Sequence, residues 1–384
     1  MDRRTFLWCG MAAAARPAVR LTAAELWPVR ATARTVWLVI RLRSDAGVEG
    51  LGEASDAFGI QGTTAANVER MRAELAGQFE RLRGRTPFDV EYFVQSGKPD
   101  TLLARTVQSA LEQAMWDMAG KALDVPVYQL LGGAVRDRIP VYANINRATK
   151  PRTPEGFAAT AKKAVADGFR SVKLAPWDGF VDSEAFVQQG IDCLFAVREA
   201  VGREIGIMTD CHSFFSVPRA IAVAKKLEPV MLSWYEEPVP PERTEDTATI
   251  RKGIRQEMAG GEFLFGVGGF APLCRERAVH VIMPDVKHCG GVLELTRIAA
   301  MAAPFGVEVA PHNPTGPVAT AASVQVGAGM RNLRILELQW GETDWRGELV
   351  QPAERFTDGT IAVGNGPGFG ITWNEALARE KRMV

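Results

Sequence analysis

The sequence has no surplus of either charge: 45 Lys plus Arg stand against 45 Asp plus Glu, a formal net charge of zero. Without a basic excess, neither a nucleic acid nor an anionic membrane surface is an expected partner. No apolar run reaches the roughly 18 residues that a transmembrane helix needs. Cysteine is scarce and odd in number. Cys9, Cys193, Cys211, Cys274 and Cys289 are scattered and form no CxxC pair, which excludes a disulfide framework and a zinc knuckle. There are no low-complexity segments. Only four histidines occur (His212, His280, His288 and His312), and three of them stand beside acidic motifs.

What is present is an ordinary globular composition, 47% apolar and 23% charged over 384 residues. That length suits a barrel with an added domain. Residues 1–18 read MDRRTFLWCGMAAAARPA. Paired arginines before an apolar stretch resemble a twin-arginine export signal, although Arg16-Pro17 cuts the stretch short. An exported protein would be periplasmic and a chain with a plain N-terminus cytoplasmic, so this segment is left out of the fold.

Residues 19–138 predict an α+β domain. Strands are expected over 21–30, 35–43 and 49–53, and helices over 65–82 and 102–123. In the second helix Val107, Leu111, Met115, Met118 and Ala122 form one apolar stripe, which predicts one buried face. From 139 to 344 short strands alternate with amphipathic helices. The strands are expected to end near Asn146, Ala175, Asp210, Glu236, Glu262, Asp285, His312 and Glu337. From Asp210 onward these ends recur every 23–27 residues, one strand and one helix each time. The pattern predicts an α/β protein with a TIM-type barrel. Residues 345–384 are expected to pack back on the first domain.

In a parallel barrel all carboxyl ends open on one mouth. Polar residues begin loops in any protein, but six acidic or histidine residues at six successive strand ends are hard to ascribe to that. Asp210, Glu236 and Glu262 come from consecutive strands. Three converging carboxylates repel unless a cation lies between them. Oxygen donors without cysteine favour Mg²⁺, or Mn²⁺, over Zn²⁺. Glu237 has the opposite side-chain direction and is expected to be a salt-bridge partner. Asp285 and His312 end adjacent strands, and a carboxylate beside an imidazole makes a general base. His212, two residues past Asp210, can reach the same mouth and deliver a proton. His280 lies at the far end and reads as structural.

These residues suit a carboxylate substrate held by the metal. His312 would take the proton on the adjacent carbon. The cation, Lys173 and Glu337 (the last as a protonated donor) would stabilise the enediolate, and His212 would protonate a hydroxyl on the next carbon so that water leaves.

The chain resembles the enolase superfamily in its mandelate racemase-like branch. The likeness is carried by ALEQAMWDMAGKALDVPVYQLLGG, TDCHSFF, WYEEPV, AGGE, MPDVKHCGG, APHNPTGP and ILELQWGE. It implies a modified TIM barrel, (β/α)7β, with an N-terminal capping domain. It also implies Mg²⁺ on Asp210, Glu236 and Glu262, with the Asp285–His312 dyad as base. Many members carry Lys-x-Lys where this chain has Lys173-Leu174-Ala175. Alanine cannot carry a proton, which disfavours a two-base racemase. Asp210-Cys211-His212 is similar to the galactonate- and gluconate-type acid-sugar dehydratases, while APWDGF from Ala175 departs from them. His288 stands where other branches have lysine and reads as lying behind the reacting groups, with Lys287 an auxiliary contact at most. The resemblance thus implies a sugar-acid dehydratase, a small-molecule carboxylate substrate and a homo-oligomer, with loop 54–64 closing over the site. The alternatives are an epimerase, racemase or cycloisomerase of the same superfamily, or a non-catalytic sugar-acid binding protein.

Overall fold

A computed structural model of the protein describes residues 19–59, 62–179 and 181–383. The twin-arginine stretch lies outside the described residues, as do Ile60 and Gln61 of loop 54–64 and Phe180 of APWDGF.

The chain opens with an antiparallel meander of β1 (Leu21–Arg30), β2 (Val36–Ser44) and β3 (Glu49–Glu53). Four helices follow: α1 (Ala65–Phe79), α2 (Val90–Ser96), α3 (Leu102–Leu123) and α4 (Val127–Leu130). Local chemistry explains the helix ends. Thr64 and Thr101 accept the main-chain N–H of Asn67 and Ala104 as N-caps, and Asp124 closes α3 in the left-handed region at φ 56°. The apolar run in β2 is buried on both faces. Leu38, Ile40 and Leu42 pack with α1 and α3 residues, while Trp37 and Val39 pack with Leu349, Val350 and Ala378 from the end of the chain.

α3 departs from the expected single buried face. Val107, Leu111, Met115 and Met118 do enter the core of the first domain. The opposite, polar side is buried as well, because it docks on the barrel. Glu112 accepts the N–H groups of Val292 and Leu293, and Gln113 donates to Val286 O at 3.1 Å. α3 also lies directly on β3: any side chain at Gly50 or Gly52 would collide with the carbonyl oxygens of Ala114 and Ala110.

The second part alternates β4 (Arg138–Asn144), α5 (Pro154–Ala166), β5 (Ser171–Leu174), α6 (Glu184–Val201), β6 (Gly206–Asp210), α7 (Val217–Lys226), β7 (Trp234–Glu236), α8 (Thr244–Gly253), β8 (Met258–Gly260), α9 (Gly266–Arg275), β9 (Val281–Ile282), α10 (Val292–Ala302), β10 (Glu308–Val309), α11 (Pro317–Gly329) and β11 (Leu336–Gln339). β4 to β10 pair in parallel order, and β11 returns to pair with β4. The Val309–Leu333 bridge and Glu337 N–H to Pro311 O at 3.3 Å link β10 to the β11 side. The expected (β/α)7β barrel with an α+β cap is the observed architecture. Several strands are shorter than expected, so Glu262, Asp285 and His312 sit on the loops after β8, β9 and β10, and Glu337 lies within β11 rather than at its end.

The chain closes with β12 (Val350–Gln351), β13 (Phe356–Thr357), β14 (Thr360–Ala362), β15 (Thr372–Trp373) and α12 (Glu375–Glu380). β14 pairs with the start of β4, while Glu375 meets Arg41 of β2 at 2.8 Å. The cap is further tied to the barrel by Glu53, at the end of β3. Its buried carboxylate accepts the N–H groups of Gly316 and Ala319 at 2.8 and 2.9 Å, at the N-terminus of α11.

Candidate active site

Asp210, Glu236 and Glu262 each point one carboxylate oxygen into a common space, with these atoms within 4.8 Å of one another. That is close to the roughly 4 Å between opposite ligands of a six-coordinate Mg²⁺. All three are buried. Burial and the charge of Asp210 push the Glu236 and Glu262 carboxyls well above the usual carboxylate range. Asp210 itself is held low: burial opposes this, but His212 and Lys173 outweigh it. The excess negative charge is what a hard divalent cation would neutralise, and the donors are oxygen alone. The set therefore fits Mg²⁺ or Mn²⁺.

Lys173 lies beneath this trio, 1% exposed. Its ammonium meets Glu236 Oε1 at 2.8 Å and Glu337 Oε1 at 2.9 Å, with Asp210 Oδ2 at 3.8 Å. Burial works against its charge, yet Glu236 and Glu337 raise its pKa well above the ordinary lysine value. Glu337 also accepts Asn144 Nδ2–H at 2.8 Å and the Asn313 N–H at 3.0 Å. Burial would raise its carboxyl, but Lys173 and His312 lower it below the ordinary value. The protonated donor expected at Glu337 is therefore corrected to a carboxylate that accepts, because an ammonium sits against it.

His312 faces the trio from the other side. Its Nδ1 is 2.7 Å from Asp285 Oδ2 and its Nε2 is 3.1 Å from Glu262 Oε2. Asp285 is wholly buried and also bound by Lys287, whose N–H donates to Oδ1 at 2.8 Å and whose ammonium meets Oδ2. Burial alone would raise the Asp285 carboxyl, but Lys287 and His288 keep it low. Lys287 is thus the counter-ion of the dyad. His288 lies behind Asp285, with Nδ1 2.9 Å from Thr106 Oγ1. His280 is remote and accepts the Met258 N–H at 3.0 Å.

His212 reaches the same mouth. The chain turns sharply here, with His212 and Ser213 left-handed at φ 46° and 61°. The ring bridges two carboxylates: Nε2 lies 3.1 Å from Asp210 Oδ2 and Nδ1 lies 2.6 Å from Asp178 Oδ1. Among the described residues Glu237 has no salt-bridge partner, contrary to expectation. At φ 41° it turns to accept Ser213 Oγ–H at 3.2 Å and the Gly261 N–H at 3.0 Å, and burial beside Asp210 raises its carboxyl to about 7.

One cavity joins these groups to the cap. Lys173, Asp210, His212, Glu262 and His312 line its floor. Arg34, Thr35, Asp56, Gly59 and Thr63 from the cap line its roof, with Asn146, Arg147, Asp178, Phe263 and Pro314 between them. Loop 54–64 therefore contributes to the wall. Residue patterns did not single out Asp178 or Arg34. Asp178 follows a buried tryptophan just past β5, and its signals in the sequence are a polar residue at that point of a barrel loop and its place in APWDGF, the stretch that departs from the dehydratases.

Comparison with known proteins gives a consistent outcome. The family description "Enolase C-terminal domain-like" matches residues 156–377, and "Mandelate racemase / muconate lactonizing enzyme, N-terminal domain" matches residues 18–132. The D-xylonate dehydratase of Haloferax volcanii is 32% identical over 353 residues, covering 88% of this chain and 83% of that protein. The D-galactonate dehydratase of Pectobacterium atrosepticum is 32% identical over 353 residues, covering 90% and 91%. Among solved structures, a mandelate racemase/muconate lactonizing enzyme from Jannaschia sp. CCS1 superposes with a TM-score of 0.86 at 30% identity, covering 95% of this chain and 98% of that one.

Proposed function

The chain belongs to the mandelate racemase/muconate lactonizing enzyme family of the enolase superfamily, and from that premise we propose that it is a Mg²⁺-dependent dehydratase of a sugar acid. Relatives named D-xylonate, D-gluconate and D-galactonate dehydratase support the substrate class. The observation that carries the reading is a pair of imidazoles, His312 and His212, on the wall of one cavity beside the carboxylate trio.

Asp210, Glu236 and Glu262 would hold the cation, which when bound supplies Lewis-acid stabilisation of charge developing on the substrate carboxylate. Asp285 takes the Nδ1–H of His312, so Nε2, which faces Glu262, is the nitrogen that accepts the proton from C2. Lys173 keeps its charge among Glu236 and Glu337 and adds a fixed positive field to the same end of the cavity. His212 gives its Nε2 proton to the C3 hydroxyl, the C3–O bond breaks, and water leaves. The enol tautomerises to a 2-keto-3-deoxy acid. The second base of a racemase has no counterpart at Ala175, which is buried and has no group to titrate. Arg34, Thr35, Asp56, Gly59, Gly62 and Thr63 of the cap shield the reaction from water and select the substrate.

The test is a panel of mono- and diacid sugars with Mg²⁺, read out as 2-keto acid with semicarbazide. His312→Asn should abolish both C2 exchange in D₂O and water loss. His212→Asn should exchange C2 yet lose water slowly. Exchange without water loss in the wild type would make the protein an epimerase or racemase. Tight binding without turnover, unchanged in His312→Ala, would make it a binding protein.

A further inference from the structure

The His212 side of the cavity repeats the chemistry of the His312 side. His312 Nδ1 is backed by Asp285, which is backed by Lys287. His212 Nδ1 is backed by Asp178 at 2.6 Å, and the other oxygen of Asp178 takes Arg152 Nη2 at 3.2 Å. Each imidazole thus has a carboxylate on Nδ1 and a fixed cation behind it. The second set spans three consecutive barrel loops, after β4, β5 and β6.

Each member of this chain is anchored. Arg152 donates to Ala175 O at 2.5 Å and to Asn146 O at 3.0 Å, with its guanidinium 5.1 Å from the Phe157 ring. Trp177, next to Asp178, is wholly buried, donates to Val187 O at 3.2 Å and meets the Phe215 ring edge-on at 5.1 Å. Trp177 therefore pins the loop, and the next residue faces the cavity. His212 is pinned through its own N–H, which donates to Asp210 Oδ1 at 2.9 Å.

We infer that Asp178, braced by Arg152, is a positioning residue that makes His212 the second half of a paired Asp–His apparatus. It retains the Nδ1 proton, so the proton His212 gives up is the one on Nε2, and it turns that nitrogen toward the leaving hydroxyl. The inference rests on the dehydratase reading and adds a residue to its acid step. The alternative is that Asp178 and Arg152 only staple the loop.

Asp178→Ala and Asp178→Asn separate the two. With the sugar acid that the wild type dehydrates, water loss should fall by about 10²-fold or more. C2 exchange in D₂O, which uses His312, should persist. The same variants should regain wild-type elimination rates with an analogue carrying fluoride at C3, because fluoride departs without a proton. Arg152→Gln should give a smaller loss of the same kind. A broken staple would instead slow exchange and both eliminations together. Equal loss in all three, or no loss of water elimination, overturns the inference. A second measurement needs no substrate: the Nδ1–H proton of His212, assigned by its absence in His212→Asn, should be a far-downfield resonance that Asp178→Ala removes. If that resonance survives in Asp178→Ala, the inference is overturned. A wild type that dehydrates no acid, with the resonance behaving as stated, sinks the dehydratase reading and the acid step but leaves the dyad standing.

Discussion

Withdrawing the divalent cation should destabilise the protein by a predictable amount. Asp210, Glu236 and Glu262 exist as a site only in the folded chain, so a cation that occupies it binds the native state alone. At 100 times its dissociation constant it adds about 2.7 kcal/mol of stability. The 384-residue chain has an unfolding entropy of roughly 0.8 kcal/mol/K, so the midpoint should rise by about 3 °C. The assay is thermal unfolding in Mg²⁺ or Mn²⁺ against EDTA, with the dissociation constant taken from a separate titration. Asp210→Asn should abolish the shift. Glu262→Gln should also abolish it while leaving the cation-free midpoint near that of wild type. That substitution removes a charge which burial and Asp210 already oppose. Equal midpoints in cation and chelator, or an undiminished shift in these variants, would refute the assignment of the site.

Two further predictions concern the groups behind the site. Burial, partly offset by Asp285, pushes the His288 imidazole down to about 3. The unfolded chain gains a proton there as pH falls below about 6.5 while the native chain does not, so this group's share of stability is present above that pH and lost on acidification. Between roughly pH 7 and pH 5 the loss should be about 2 kcal/mol in urea unfolding, measured as the difference between wild type and His288→Gln. Parallel pH profiles would count against a neutral buried imidazole. Glu112 accepts the N–H groups of Val292 and Leu293 at 2.7 and 2.9 Å and Trp116 Nε1–H at 2.7 Å. Glu112→Ala leaves these donors without their acceptor and should cost about 2–4 kcal/mol. A cost below about 1 kcal/mol would show that the cap and barrel do not depend on this joint.

Strand and helix periodicity carried the architecture. Each barrel unit is local in sequence, so the 102–123 helix and the recurring acidic residues were legible without coordinates. The carboxylates of Asp210, Glu236 and Glu262 were legible for the same reason, since a parallel barrel sends every strand's carboxyl end to one mouth. Chain-distant contacts were not legible. Both faces of β2 are apolar because residues some 300 positions away cover one of them, and the polar side of α3 is buried because Glu112 and Gln113 bond the barrel at Val292, Leu293 and Val286. The state of Glu337 was also beyond periodicity: its charge depends on Lys173, which reaches it only when the barrel closes β11 against β4. Asp178 and Arg152 belong to this second class. No spacing marks them, and Asp178 meets His212 and Arg152 only because three loops converge above the same set of strands.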